Sequence, residues 1–129
     1  MLIIDMDYFK QINDTLGHLA GDAILTDTAN VIRRFFKGDA LCGRVGGDEF
    51  MVFVKDVQDV SSLLLQAEFL RREIAKTTSE RNITIAIQAS VGVAMSTAGF
   101  RDYGSMFAAA DEALYRAKKE GRNRICVVE

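Results

Sequence analysis

The sequence predicts an α+β fold of the ferredoxin-like class, an antiparallel sheet with helices packed on it. Its core order is βαββαβ, with one helix and one strand appended. Three observations carry this prediction. The chain opens on a uniformly apolar run, Met1 to Ile4; two apolar runs flank Gly46-Gly47; and longer stretches between them repeat apolar residues at helical spacing. A length of 129 residues suits a single domain, residues 1–129, able to bury a real core.

Taken in order, Met1 to Ile4 reads as a strand covered on both faces. Tyr8 to Asp14 reads as a turn or a single helical coil. From Asp22 the positions Ile24, Thr28, Val31, Ile32 and Phe35 share one helical face, so a helix runs to about Phe36, where Gly38 and Asp39 end it. Leu41 to Val45 and Phe50 to Val54 form a hairpin around Gly46-Gly47. Asp59 or Ser61 caps a second helix with the stripe Leu63, Ala67, Leu70 and Ile74. Ile83 to Met95 alternates as one long, half-exposed strand, with a bend at Gly92 as an option. Ser105 caps a third helix through Glu120, with Phe107, Ala110, Leu114 and Ala117 inward and Gly121 as the stop. Ile125 to Val128 is the last strand. Because the chain starts directly on a core strand, it reads as a segment of a longer protein.

Composition narrows the function. Apolar residues make up 49% and charged residues 26%, the balance of a soluble globular domain. The net charge of −2 with no basic block argues against a nucleic-acid surface, so an anionic ligand would need local cations and a metal. No apolar run approaches the ~20 residues that span a bilayer, so the domain itself makes no membrane contact. Cys42 and Cys126 each lie in an apolar stretch, as buried free thiols of a cytoplasmic protein do.

The chemistry concentrates at one strand end. Asp5 and Asp7 end the first strand, and Asp48 and Glu49 begin the third. In the βαββαβ arrangement these strands are antiparallel neighbours ~4.8 Å apart, so one divalent cation could bridge both carboxylate sets. Two carboxylates plus phosphate oxygens suit Mg²⁺; solvated strand ends are the plain alternative. Strand alternation sends Glu49 to the face opposite Asp48, where it either activates a hydroxyl or makes a structural hydrogen bond. Tyr8 to Asp14 follows the first acids directly, so its backbone N–H groups could cradle phosphates with Lys10 adding charge, or form an ordinary turn. Asp22 after Gly21 is a natural helix N-cap, Asn13 a turn former, and His18 a lone loop histidine. Lys118 and Arg122 either complement the last helix's C-terminus or clamp a terminal phosphate.

Four stretches, DMDYFKQINDTLGHLAGD, RVGGDEF, ASVGVA and ADEALYRAKKEGRN, together resemble the GGDEF domain of the diguanylate cyclase family. They occur in family order and spacing, and the resemblance covers essentially the whole chain. It implies a palm-like fold related to nucleotidyl cyclases and polymerases, condensing two GTP into cyclic di-GMP and two pyrophosphates. It implies Mg²⁺, with Mn²⁺ as an alternative, held by Asp5, Asp48 and the Met6 carbonyl. Asp48 and Glu49 would be the catalytic acids. Asn13 and Asp22 would read the guanine edge with His18 nearby. Tyr8, Phe9 and Lys10 would hold phosphates through backbone N–H groups, and Lys118 and Arg122 the terminal phosphate. Since one domain holds one GTP, a transient homodimer about a twofold axis is needed to close the ring.

The resemblance also implies what is missing. The family's leading helix, with its Asp-x-Leu-Thr signature, does not precede the first strand, which implies low activity for the segment alone. The Arg-x-x-Asp feedback site reads Lys37-Gly38-Asp39-Ala40 here, so product inhibition is expected to be absent. A sensor or dimerisation domain is expected in the full-length protein, and any membrane anchor would belong to such a domain. The alternative function is a catalytically weak GTP-binding module that regulates a partner domain; its members often lose the signature acids, which are intact here.

Overall fold

The computed structural model describes residues 1–38, 40–79 and 87–128. Strand β1 (Leu2–Met6) is followed by helices α1 (Phe9–Leu16) and α2 (His18–Phe35), strands β2 (Ala40–Gly46) and β3 (Glu49–Val54), helix α3 (Val60–Ser79), strand β4 (Ala89–Ala94), helix α4 (Tyr103–Lys119) and strand β5 (Ile125–Val128). The strands form one sheet in the order β2-β3-β1-β4-β5. All neighbours are antiparallel except β4 and β5, which are parallel. The βαββαβ core is therefore present, with α4 and β5 as the appended pair.

Both faces of the central strands are buried. Leu2, Ile4, Met6, Phe50, Val52, Val91 and Val93 pack against α2 and α3 residues such as Ile24, Val31, Leu70 and Ile74. Ile3 and Ala94 face α4, meeting Ala110 and Leu114. The predicted α3 stripe of Leu63, Ala67, Leu70 and Ile74 is buried throughout. Asp59 caps that helix, accepting from the backbone N–H of Ser61 (3.1 Å) and Ser62 (3.3 Å). No described helix is long and apolar enough to cross a membrane.

Several sequence expectations are corrected. Of the two readings of Tyr8 to Asp14 the helical one holds but is too short: α1 is a full two-turn helix, and Gly17 separates it from α2 with φ 89°. Asp22 is consequently not an N-cap, because α2 already begins at His18 and Asp22 lies on its second turn. The β2–β3 turn is Gly47-Asp48, not Gly46-Gly47, because a bulge between Arg44 and Gly46 shifts the register so that Gly46 pairs with Glu49. Strand β4 is buried on both faces instead of half-exposed. Its alternation is between large and small residues: Val91 and Val93 on one side, Ser90, Gly92 and Ala94 under α4. Residues 83–86 of the predicted strand lie outside the described residues. Cys42 is exposed, since β2 is an edge strand, whereas Cys126 is buried; both are free thiols.

Helix α4 starts at a different cap than predicted. Asp102 is the N-cap and Ser105 the third residue, in a reciprocal box: Asp102 Oδ1 accepts from Ser105 N (2.8 Å) and Asp102 N donates to Ser105 Oγ (3.4 Å). Asp102→Ala is expected to lower the melting temperature by roughly 2–4 °C, while Asp102→Asn, which keeps an acceptor, stays near wild type. Circular-dichroism melts of the two variants check this.

Candidate active site

β1 and β3 bring the predicted acids together. Asp5 is the cross-strand partner of Glu49 on one side and of Ser90 on the other. Asp48 stands in the adjoining turn, where its carbonyl accepts from Met6 N at 3.2 Å. This corrects the expectation that Glu49 turns away. Directly opposed residues of antiparallel strands share a face, so Glu49 lies with Asp5 on the α4 side. Alternation within the motif misleads here because Asp48 belongs to the turn.

The electrostatics of this edge are those of crowded, half-dry carboxylates. Burial, the largest influence, pushes the Asp5 carboxyl up to about 6; the neighbouring Asp48 pushes the same way and Lys118 opposes. Glu49 is raised as well, by burial first and then by Asp111 and Asp48. Lys118, reaching down from α4, forms an ion pair with Asp5 Oδ2. Asp5 Oδ1 is buried with no hydrogen-bond partner, a state that a buried acceptor rarely keeps. Among the described residues no group of three acidic, histidine or cysteine side chains is arranged to hold a metal ion by itself. Two neighbouring carboxylates, Asp5 and Asp48, are the number a hard divalent cation completed by phosphate oxygens would need.

The phosphate-binding candidates surround this edge. Tyr8 adopts φ 57° and starts α1, whose first backbone N–H groups have no partner within the helix. Phe9 is half-buried and Lys10 exposed. Past α4, Gly121 N donates to Lys118 O (3.4 Å) and Arg122 N to Ala117 O (2.9 Å), a Schellman ending with Gly121 at φ 122°. Arg122 itself has φ 63°, and its guanidinium lies 4.5 Å over the Tyr8 ring.

The guanine candidates sit on α1 and α2. Asn13 packs against Gly21, where a Cβ would lie 1.8 Å from Asn13 Oδ1, so a larger residue there would push the Asn13 side chain aside. Asn13 Oδ1 is the second buried acceptor without a partner. His18, the first residue of α2, is exposed. Asp22 lines a cleft of about 440 Å³ between α2 and β2, floored by Leu25, Ala29, Ile32 and Phe50 and edged by Arg44. Sequence reasoning did not assign Leu25 or Arg44 to the site. Leu25 lies next to the predicted stripe residue Ile24, and Arg44 sits two residues before the signature glycines. Lys37 is exposed after α2 and Ala40 opens β2, while Asp39 lies outside the described residues.

Comparison with known proteins gives a consistent result. The family profile "Diguanylate cyclase, GGDEF domain" matches residues 1–124. The chain is 39% identical over 127 residues to the diguanylate cyclase DosC of Escherichia coli K12, covering 97% of this chain and 27% of that protein. It is 38% identical over 130 residues to the probable diguanylate cyclase DgcF of the same strain, covering 96% and 41%. The chain thus spans less than half the length of these curated relatives. Among solved structures it resembles the active GGEEF domain of a Vibrio cholerae diguanylate cyclase, with TM-score 0.88 and 35% identity over 99% of this chain and 81% of that one. It also resembles the GGDEF domain of DgcB from Caulobacter crescentus in complex with c-di-GMP, with TM-score 0.83 and 32% identity over 98% and 75%.

Proposed function

Because the chain belongs to the diguanylate cyclase GGDEF family, we propose that it supplies one half-site for condensing two GTP into cyclic di-GMP and two pyrophosphates. The observation that carries this reading is the gathering of Asp5, Asp48 and Glu49 at one end of strands β1 and β3, with Asp5 Oδ1 buried and unpartnered.

Asp5, Asp48 and the Met6 carbonyl would hold a divalent cation, Mg²⁺ or alternatively Mn²⁺, which supplies charge neutralisation at the phosphates. The remaining roles fall to the chain's own groups. The base enters the α2–β2 cleft, where the Asp22 carboxylate accepts from guanine N1–H and the 2-amino group. Adenine presents a lone pair at N1 and would be repelled there. Asn13 Oδ1 offers a second acceptor, and His18 is exposed one turn before Asp22 on α2. The backbone N–H groups of Tyr8, Phe9 and Lys10 hold phosphate oxygens, helped by the start of α1. Lys118, released from Asp5, and Arg122 hold the terminal phosphate.

The 3′-oxygen of one GTP then attacks the α-phosphorus of the other. An O3′–P bond forms, the bond to pyrophosphate breaks, and the hydroxyl proton passes to a base, for which Glu49 is placed. Two domains must face each other about a twofold axis, since each holds one nucleotide. A GTP substrate places the domain in the cytoplasm, and a sensor or dimerisation domain elsewhere in a longer protein would bring the pair together.

The test is incubation with GTP and Mg²⁺, with a parallel Mn²⁺ arm, at protein concentrations that drive pairing, followed by chromatography for cyclic di-GMP. Product that disappears in Asp48→Ala is the expected outcome, with a loss of at least about a hundredfold. Saturable GTP binding without product would favour a regulatory GTP-binding module instead.

A further inference from the structure

Asp7 is a buried carboxylate, 3% exposed, with no part in the reaction outlined above. Both its oxygens are engaged. Oδ1 accepts from Ser90 Oγ at 2.7 Å, and Oδ2 accepts from the backbone N–H of Asn123 at 3.0 Å. Asn123 and Arg122 are two successive non-glycine residues in the left-handed region, φ 49° and 63°, a pairing that an unrestrained chain rarely keeps. From the other side, Arg71 of α3 donates to the Asn123 side-chain oxygen and is itself held by Glu68 (Nε to Oε2, 2.9 Å). The turn is therefore pinned between β1, β4 and α3. What it presents is the Arg122 guanidinium over Tyr8, at the start of α1.

We propose that Asp7 is the positioning residue for Arg122: by fixing the Asn123 N–H it holds the left-handed turn that keeps Arg122 at the phosphate end of the site. The Asp-x-Asp motif then grips the end of α4 at two points, Asp5 through Lys118 and Asp7 through Asn123. The inference rests on the GTP reading above. Without Asp7 the Asn123 N–H is left unpaired, the turn relaxes and Arg122 leaves its place. The base cleft on α2 and β2 is untouched.

The experiment is isothermal titration of wild type, Asp7→Ala, Arg122→Ala and the double variant with α,β-methylene GTP plus Mg²⁺, and in parallel with GMP, which lacks the terminal phosphate. Asp7→Ala is expected to weaken the triphosphate roughly tenfold, to leave GMP binding unchanged, and to cause no further loss once Arg122 is gone. Asp7→Asn, which keeps an oxygen acceptor, should recover most of the affinity. Equal weakening of both ligands, or a full additional loss in the Arg122→Ala background, would overturn the proposal and make Asp7 a purely structural stitch. If Asp7→Ala does not fold, Ser90→Ala, which removes only the Oδ1 donor, carries the same comparison with a smaller effect of the same pattern. A wild-type chain that binds neither ligand overturns the GTP reading itself, and the role of the turn with it.

Discussion

Asp5→Asn is expected to remove cyclic di-GMP formation by about a thousandfold or more while making the folded domain more stable at neutral pH. The activity loss follows from taking away one of the two carboxylates assigned to the cation, since electrostatic groups of this kind are worth roughly 10²–10³ in rate each. The stability gain follows from the cost of keeping Asp5 charged. Its carboxyl is raised from 3.8 to about 6, chiefly by burial and also by Asp48, with Lys118 only partly offsetting this. A carboxyl raised by folding contributes stability that is fully present below about pH 4 and is lost as pH climbs through about 6. At pH 8 the wild type therefore carries a penalty of at most about 3 kcal/mol that the neutral asparagine lacks. Melts without metal or nucleotide should show the variant above wild type at pH 8, with the gap closing toward pH 4. A gap independent of pH would sink the explanation. The trade is the ordinary one for a site whose charges are assembled for a ligand and not for the fold.

Gly92→Ala should damage the fold more than any single methyl would suggest. A Cβ at Gly92 would lie 2.1 Å from the Ala110 carbonyl oxygen, 2.3 Å from Leu114 N and 2.8 Å from its Cα. All three are backbone atoms of α4, so no side-chain rotation relieves the overlap and the helix must lift from the sheet. The modest gain from replacing a strand glycine, roughly 0.5–1 kcal/mol, is outweighed by about 3 kcal/mol or more of displaced packing. Because Lys118 ends the same helix, the shift should also weaken GTP binding. Gly43→Ala is the control: it too is a strand glycine, but nothing lies within 4 Å of its added Cβ. Urea denaturation should place Gly43→Ala within about 0.5 kcal/mol of wild type and Gly92→Ala far below it. Similar midpoints for the two would contradict the packing account.

Much of this domain was legible in its residues. The apolar stripe of α3, the pairing of the first and third strands and the meeting of Asp5 with the signature acids follow from periodicity and topology alone, because those signals are local and repeated. The misreadings share a cause. Asp22 resembles a cap only if its helix starts there, and Gly17 moves that start upstream. Glu49 is sent to the wrong face by counting strand alternation from Asp48, which belongs to the turn and not to β3. Strand β4 is read as half-exposed from its alternation, yet its polar Ser90 is buried and bonded to Asp7.

What the sequence by itself determined is therefore the family, the order of the elements and the identity of the acids, since hydrophobic spacing and motif order are written in consecutive residues. The tertiary structure alone decided which acid faces which. It showed Glu49 beside Asp5, Lys118 paired to Asp5 and Asp7 accepting from the Asn123 backbone N–H. Those relations join residues up to 116 positions apart, and they depend on burial and on contacts between distant segments that no local pattern records.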